Sequence, residues 1–277
     1  MSKYALCVGI NKFENLPTNG WLNGCVNDAK DFAAILAEQY GFAKRNVTVL
    51  LDSKATKAAV IGKLQAMVKR AKPGDHLVFT FSSHGTQVLD VSGDEPDGAD
   101  EAFVTFDMRQ KGDQWDASTL ILDDELHDLL ATLPDGVLLD VVLDTCHSGS
   151  GLRALDLLPT RRPRFVPPPT PLGLERTESA DPRAFRDLVR SDAAAKPVLF
   201  AACRSDQTAA DADFSGRYSG AFSYFFLKAL REDPAKSRRD VLKQVSADLR
   251  GGKFTQRAQL EAPAAAKGTA WGAAFQG

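Results

Sequence analysis

The sequence predicts an α/β fold, a mostly parallel central sheet with helices on both faces, and three observations carry that reading. Apolar runs recur along the chain, at 4–10 (YALCVGI), 46–51 (NVTVLL), 75–82 (DHLVFTFS), 137–144 (VLLDVVLD) and 196–203 (KPVLFAAC). Between them lie segments whose apolar residues recur every three or four positions, so strands alternate with helices. Runs this continuous suit strands buried on both faces, as in parallel sheets. Finally, two runs stop abruptly on chemically capable side chains, Ser82-Ser83-His84-Gly85 and Asp144-Thr145-Cys146-His147-Ser148-Gly149. Open α/β sheets place their ligand crevice at strand carboxyl ends.

In chain order, the first strand (4–10) leads through a loop holding Pro17, Asn19 and Gly20 into a helix with Val26, Ala29, Phe32, Ala33, Leu36 and Ala37 on one face. Gly41 closes that helix in the position glycine favours after a C-cap. After the strand at 46–51, Thr56 is placed to cap a helix bearing Val60, Leu64, Met67 and Val68. Lys72-Pro73-Gly74 turns the chain into the strand that ends at His84. The acidic stretch 90–101 precedes a short hairpin pairing 102–106 with 120–122, and Asp123 is expected to cap a helix with Leu126, Leu129 and Leu130. The strand ending at Cys146 follows. Residues 152–195, rich in arginine and proline, read as a long loop or cleavable linker with any helix confined to 182–190. Then come the strand at 196–203, a loop over 204–219, and helices over 220–230 and 239–250. The tail from Gly251 carries little pattern.

Composition narrows the function. The chain has 277 residues, a net charge of −2, 44% hydrophobic and 25% charged residues. That balance fits a soluble globular protein of one domain over 1–277 and gives no basic surface for nucleic acid or anionic membrane. Four cysteines at 7, 25, 146 and 203 form no CxxC pair, so neither a zinc site nor a disulfide framework is expected. No apolar run approaches ~18 residues, and the first is too short for a signal peptide. A cytoplasmic monomer is the expectation.

A free cysteine is often a small buried hydrophobe. The polar, glycine-rich flanks of Cys146 argue instead for a reactive thiol, which needs a histidine within reach to take its proton. Of the four histidines, His76 begins a strand and His127 lies within a helix, both structural positions. His147 adjoins the cysteine, and consecutive side chains leaving a strand diverge. His84 remains: pairing of its strand with that of Cys146 sets both over one crevice. Asp144 shares the parity of Cys146, and Ser82 that of His84. A carboxylate beside a thiolate hinders ionisation of the thiol, so Asp144 makes better sense as a receptor for a cationic substrate group.

These segments, FSSHGTQ at 81–87 and DTCHSG at 144–149, resemble the histidine and cysteine motifs of metacaspases, and GCVNDA (24–29), DGADE (97–101), ILDDE (121–125) and CRSDQT (203–208) resemble further metacaspase segments in the same order. The resemblance spans nearly the whole chain. It implies a caspase-like three-layer α/β/α sandwich, with a larger part to about 158, a linker over 159–194 and a smaller part over 195–277. It also implies a cysteine endopeptidase acting on proteins or peptides after Arg or Lys, with no cofactor in the chemistry. By position Cys146 is the nucleophile and His84 its acid–base partner, while the amides of Gly85 and Cys146 hold the oxyanion. Asp28, Ser82 and Asp144, with Cys25 beside them, match the family's pocket for a basic residue. Asp100, Asp123 and Asp124 match its calcium-binding aspartates, although Arg153 stands where a further aspartate is usual and Asp156 is the nearest substitute. Self-processing at arginines between 153 and 190 is implied as well. Two other readings compete. A cysteine phosphatase needs C-x5-R, and Arg153 is one position out of register. A non-catalytic scaffold of the same fold typically lacks the cysteine or the histidine, and both are present.

Overall fold

A computed structural model describes residues 1–89, 99–146, 161–170, 197–204 and 207–274. The segment 90–98, His147, Arg153, Asp156 and the helix expected within 182–190 lie outside these residues. Strands β1 (Lys3–Gly9), β2 (Val47–Leu51), β3 (His76–Ser82), β9 (Leu138–Asp144), β11 (Val198–Ala201) and β14 (Gln259–Glu261) form a six-stranded sheet in the order β14-β11-β9-β3-β1-β2. All neighbours run parallel except β14, which closes one edge antiparallel to β11. The predicted α/β class and mostly parallel sheet are therefore what the chain forms.

Side-chain alternation divides the core into two layers. On one face Leu6, Val8, Phe79, Phe81, Leu139, Val141 and Leu143 pack with α2 (Lys57–Arg70) and α3 (Asp123–Ala131). On the other, Ala5, Cys7, Val78 and Val142 meet α1 (Cys25–Glu38) and two later helices, α4 (Ala221–Glu232) and α5 (Arg238–Gly251). Burying each large apolar side chain is worth roughly 1.5–3 kcal/mol, and a one-residue slip would invert a whole strand, so the register is fixed on both faces. The pairings Gly9↔Ser82 and Ser82↔Asp144 follow from it and align three strand ends in one row. On the α1/α4/α5 side, parity also carries His76, Ser82 and His84, and Asp140, Asp144 and Cys146.

Local predictions hold at several ends and fail at others. Thr56 Oγ1 accepts from the Ala59 amide, and Gly41 adopts φ +69°, where glycine alone is unstrained. Asp123, by contrast, is not a cap. Strand β8 (Leu120–Leu122) runs straight into α3, so Leu122 takes the cap position without a side-chain bond, and Asp123, Asp124 and Glu125 occupy the first turn against the positive helix end. The expected loop at 204–219 contains a hairpin, β12 (Ala210–Phe214) and β13 (Arg217–Gly220), turning through Ser215 and Gly216 at positive φ. The described part of the expected linker is also not loop throughout. Residues Arg161–Pro163 form β10, paired antiparallel with β12 in a sheet of order β10-β12-β13. A second small sheet, β4 (Gly85–Leu89), β5 (Ala99–Val104) and β8, continues from the end of β3. Residues 110–115 add a two-stranded ribbon, β6 and β7, and the tail adds β14 and a short helix α6 (Ala264–Lys267).

Candidate active site

The crevice over β3 and β9 is occupied by the chain itself. Arg164, which directly follows β10, inserts a fully buried guanidinium between three carboxylates. Its Nη2 donates to Asp28 Oδ2 at 2.6 Å and Asp211 Oδ1 at 3.1 Å, and its Nη1 lies 3.1 Å from Asp144 Oδ2. Nη1 also donates to the Asp144 carbonyl at 3.1 Å.

Each carboxylate is held in turn by backbone amides or hydroxyls. Asp28, in the first turn of α1, accepts from the Ser219 hydroxyl and the Gly220 amide. Asp144 accepts the Ser223 amide (3.0 Å) and hydroxyl (2.7 Å) at the amino end of α4, where the helix dipole favours an anion. Asp211, on β12, accepts the amides of Asn23 and Gly24. Three buried carboxylates around one cation leave excess negative charge. Burial, opposed by Arg164, pushes the Asp28 carboxyl up to about 7 and raises Asp211 as well. Burial also keeps Cys25, beside the cluster, well above the usual thiol range. Ser82 is buried at the end of β3, in register with Asp144.

The backbone of the same segment is fixed with equal definition. The Arg164 amide donates to Ala209 O at 3.0 Å. Its carbonyl oxygen accepts from two amides, Gly85 at 3.0 Å and Cys146 at 3.3 Å. Beyond it, the Val166 amide donates to Gly85 O and Thr86 Oγ1 donates to Val166 O. A polarisable carbonyl thus lies between the two amides that flank the histidine and the cysteine.

His84 Nε2 lies 2.8 Å from Gly20 O, a bond that requires a proton on Nε2 and leaves Nδ1 as the basic nitrogen. Nδ1 is buried and has no hydrogen-bond partner among the described residues, and Phe13 covers the ring at 5.1 Å between centroids. Burial, together with the positive charges of Arg164 and Arg162, lowers His84 to about 4, so it is neutral near pH 7. Cys146 Sγ accepts from the Ala209 amide, and with the segment in place it makes no hydrogen bond to His84.

The structure therefore brings Cys25, Asp28, Ser82, His84, Gly85, Asp144 and Cys146 to one end of the sheet. The aspartates matched to calcium lie elsewhere: Asp100 is on β5, and Asp123 and Asp124 begin α3. Among the described residues no group of three or more His, Cys, Asp or Glu is arranged to hold a metal ion. His76 and His127 do not lie at these strand ends. His76 is buried with Asp140, and His127 lies beside Asp128 on α3. Sequence reasoning missed Asp211, Ser223, the Gly20 carbonyl and Arg164 as the pocket's occupant. The arginine-rich run 161–164 was the one visible signal.

A sheet of this order with a thiol and an imidazole at neighbouring strand ends defines a caspase-fold protein. The fold is shared by caspase-1 of Spodoptera frugiperda, with a TM-score of 0.54 at 14% identity over 94% of this chain and 86% of that one. A solved protein from Geobacter sulfurreducens superposes over the whole of both chains with a TM-score of 0.69 and 26% identity. The family described as "Metacaspase, peptidase C14 domain" matches residues 3–157. Metacaspase-1A of Aspergillus oryzae is 32% identical over 94% of this chain and 67% of its own length, and that of Aspergillus niger 31% over 92% and 69%. The chain belongs to the metacaspase family and is a cysteine-type endopeptidase.

Proposed function

We propose that this endopeptidase cuts after arginine or lysine with Cys146 as nucleophile and His84 as acid–base partner, and that its own Arg164–Phe165 bond is a substrate. The observation that carries this reading is the seating of Arg164, with a cationic side chain on Asp28, Asp144 and Asp211 and a carbonyl oxygen on the amides of Gly85 and Cys146. Cys146 Sγ turns from Ala209 toward the Arg164 carbonyl carbon, gives its proton to His84 Nδ1 and forms the C–S bond. The developing oxyanion keeps the two amide bonds already in place. Collapse breaks the C–N bond, and His84 returns the proton to the Phe165 nitrogen. Water, deprotonated by His84, then cleaves the thioester and frees the thiol. Lysine reaches the same carboxylates as a point charge but lacks the fork that spans them, so arginine is preferred.

The test is hydrolysis of peptidyl-arginine, -lysine and -aspartate reporters by the chain and by Cys146→Ala. Arginine and lysine reporters are expected to be cut only by the unsubstituted chain. Equal activity in both proteins, or cutting of the aspartate reporter alone, would reject the reading. The same assay with calcium added or chelated decides whether the family's metal dependence extends to this chain.

A further inference from the structure

The segment that fills the crevice touches more than the arginine pocket. Three residues before Arg164, the side chain of Arg161 lies across the Phe254 ring, with its guanidinium carbon 3.9 Å from the ring centroid. Its Nη1 donates to Lys253 O at 2.8 Å and its Nη2 to Gly252 O at 2.7 Å. These carbonyls lie just past the end of α5, the negative pole of that helix. An aromatic face combined with two carbonyls at a helix carboxyl end forms a receptor for a planar cation. The backbone of Arg161 is meanwhile held by the ladder to β12, opposite Ala212. The distance from this receptor to the arginine pocket is therefore set by strand geometry rather than by the particular linker. Any extended peptide that replaces the segment on β12 inherits the same register, with its side chains presented at the same two places.

We propose that the peptidase has a second basic-residue subsite, built from Phe254 and the Gly252 and Lys253 carbonyls, that reads the residue three positions before the one at the cleaved bond. Its substrates carry Arg-x-x-Arg, as the chain does at Arg161 to Arg164. The inference rests on cleavage after arginine and extends it from one residue to a spaced pair. Lysine is a poorer occupant, because a single ammonium cannot stack on the ring and reach both carbonyls as the guanidinium does.

The test uses the full chain and three peptide reporters, Arg-Arg-Pro-Arg, Lys-Arg-Pro-Arg and Ala-Arg-Pro-Arg. The chain's own segment competes equally with all three, so the ratios of kcat/KM do not depend on how much of it has left the crevice. Replacing the first arginine by alanine is expected to lower kcat/KM about tenfold, mainly through KM, with lysine between. In Phe254→Leu, which keeps an apolar side chain against Phe214 and Phe225, the arginine-to-alanine ratio is expected to fall toward one, and a ratio unchanged from the unsubstituted chain would overturn the subsite. Equal kcat/KM for the arginine and alanine reporters in the unsubstituted chain would overturn the subsite and leave cleavage after arginine standing. Failure to cut any of the three would overturn both.

Discussion

Gly220 sets how closely a cation can approach the Asp28 and Asp144 carboxylates. A methyl group added at its Cα would stand 2.6 Å from Arg164 Nη1 and would also collide with the Asp144 carboxylate. Gly220→Ala is therefore expected to raise KM for arginine reporters by about a hundredfold or more, with Cys146 still reactive toward a small thiol reagent. Charge makes a second prediction at this scale. With Arg164 seated, Asp28 stands at about 7, and losing the guanidinium removes the strongest influence holding it down. An empty pocket thus retains its proton to higher pH than a filled one, and an arriving arginine must expel it, so affinity for arginine weakens as the pH falls toward about 7 and levels off below it. KM for arginine reporters should rise several-fold from pH 9 to pH 7. Much of this site was legible in the sequence. Parity on two apolar strands joined Ser82 and His84 to Asp144 and Cys146, because strand periodicity is a local property. Asp211 and the Gly20 carbonyl had no such signature. The first lies in a short charged hairpin far along the chain, and the second is a backbone atom that any residue type supplies.

At the scale of elements, the segment over 161–166 fills the crevice. It adds an edge strand to β12 through Pro163, a residue tolerated where one side of a strand is unpaired, and then crosses the crevice with Arg164 inserted. Arg164→Gln removes the ion pairs to Asp28, Asp144 and Asp211 while keeping much of the side chain's bulk. The substituted chain is expected to stay full length on a denaturing gel over hours in which the unsubstituted chain is cut between 164 and 165. Its turnover of an arginine reporter should be equal or faster, since the competing cation is gone. An Arg164→Gln chain cut at the same bond at the same rate would remove this segment from the pocket chemistry. The long strands and helices could be read from periodicity because each has five or more patterned residues. Strand β10 could not: three residues, Arg-Arg-Pro, become a strand only because β12 is there to pair with them.

Across the whole molecule, the sheet ties its two ends together through polar residues on one face. Away from the crevice, Asp140 in the middle of β9 accepts His76 Nε2 at 2.9 Å and Arg238 Nε at 3.1 Å, all three buried. Burial alone would raise this carboxyl, yet Arg238 and His76 hold it below the usual range. Asp140→Asn strands the Arg238 charge in the interior and is expected to cost about 3–5 kcal/mol in denaturant unfolding, with kcat unchanged in the protein that remains folded. The apolar run around Asp140 announced the strand in the sequence. Its partners at positions 76 and 238 could be assigned only once the sheet order had set β3 beside β9 and α5 over them. A segment joined to the chain whose crevice it fills cannot be diluted away, so the covering of the crevice is independent of protein concentration. Under the proposed cleavage at 164–165, cutting within the same molecule would be first order, with a half-time that does not change on dilution, whereas cutting between molecules would slow with dilution.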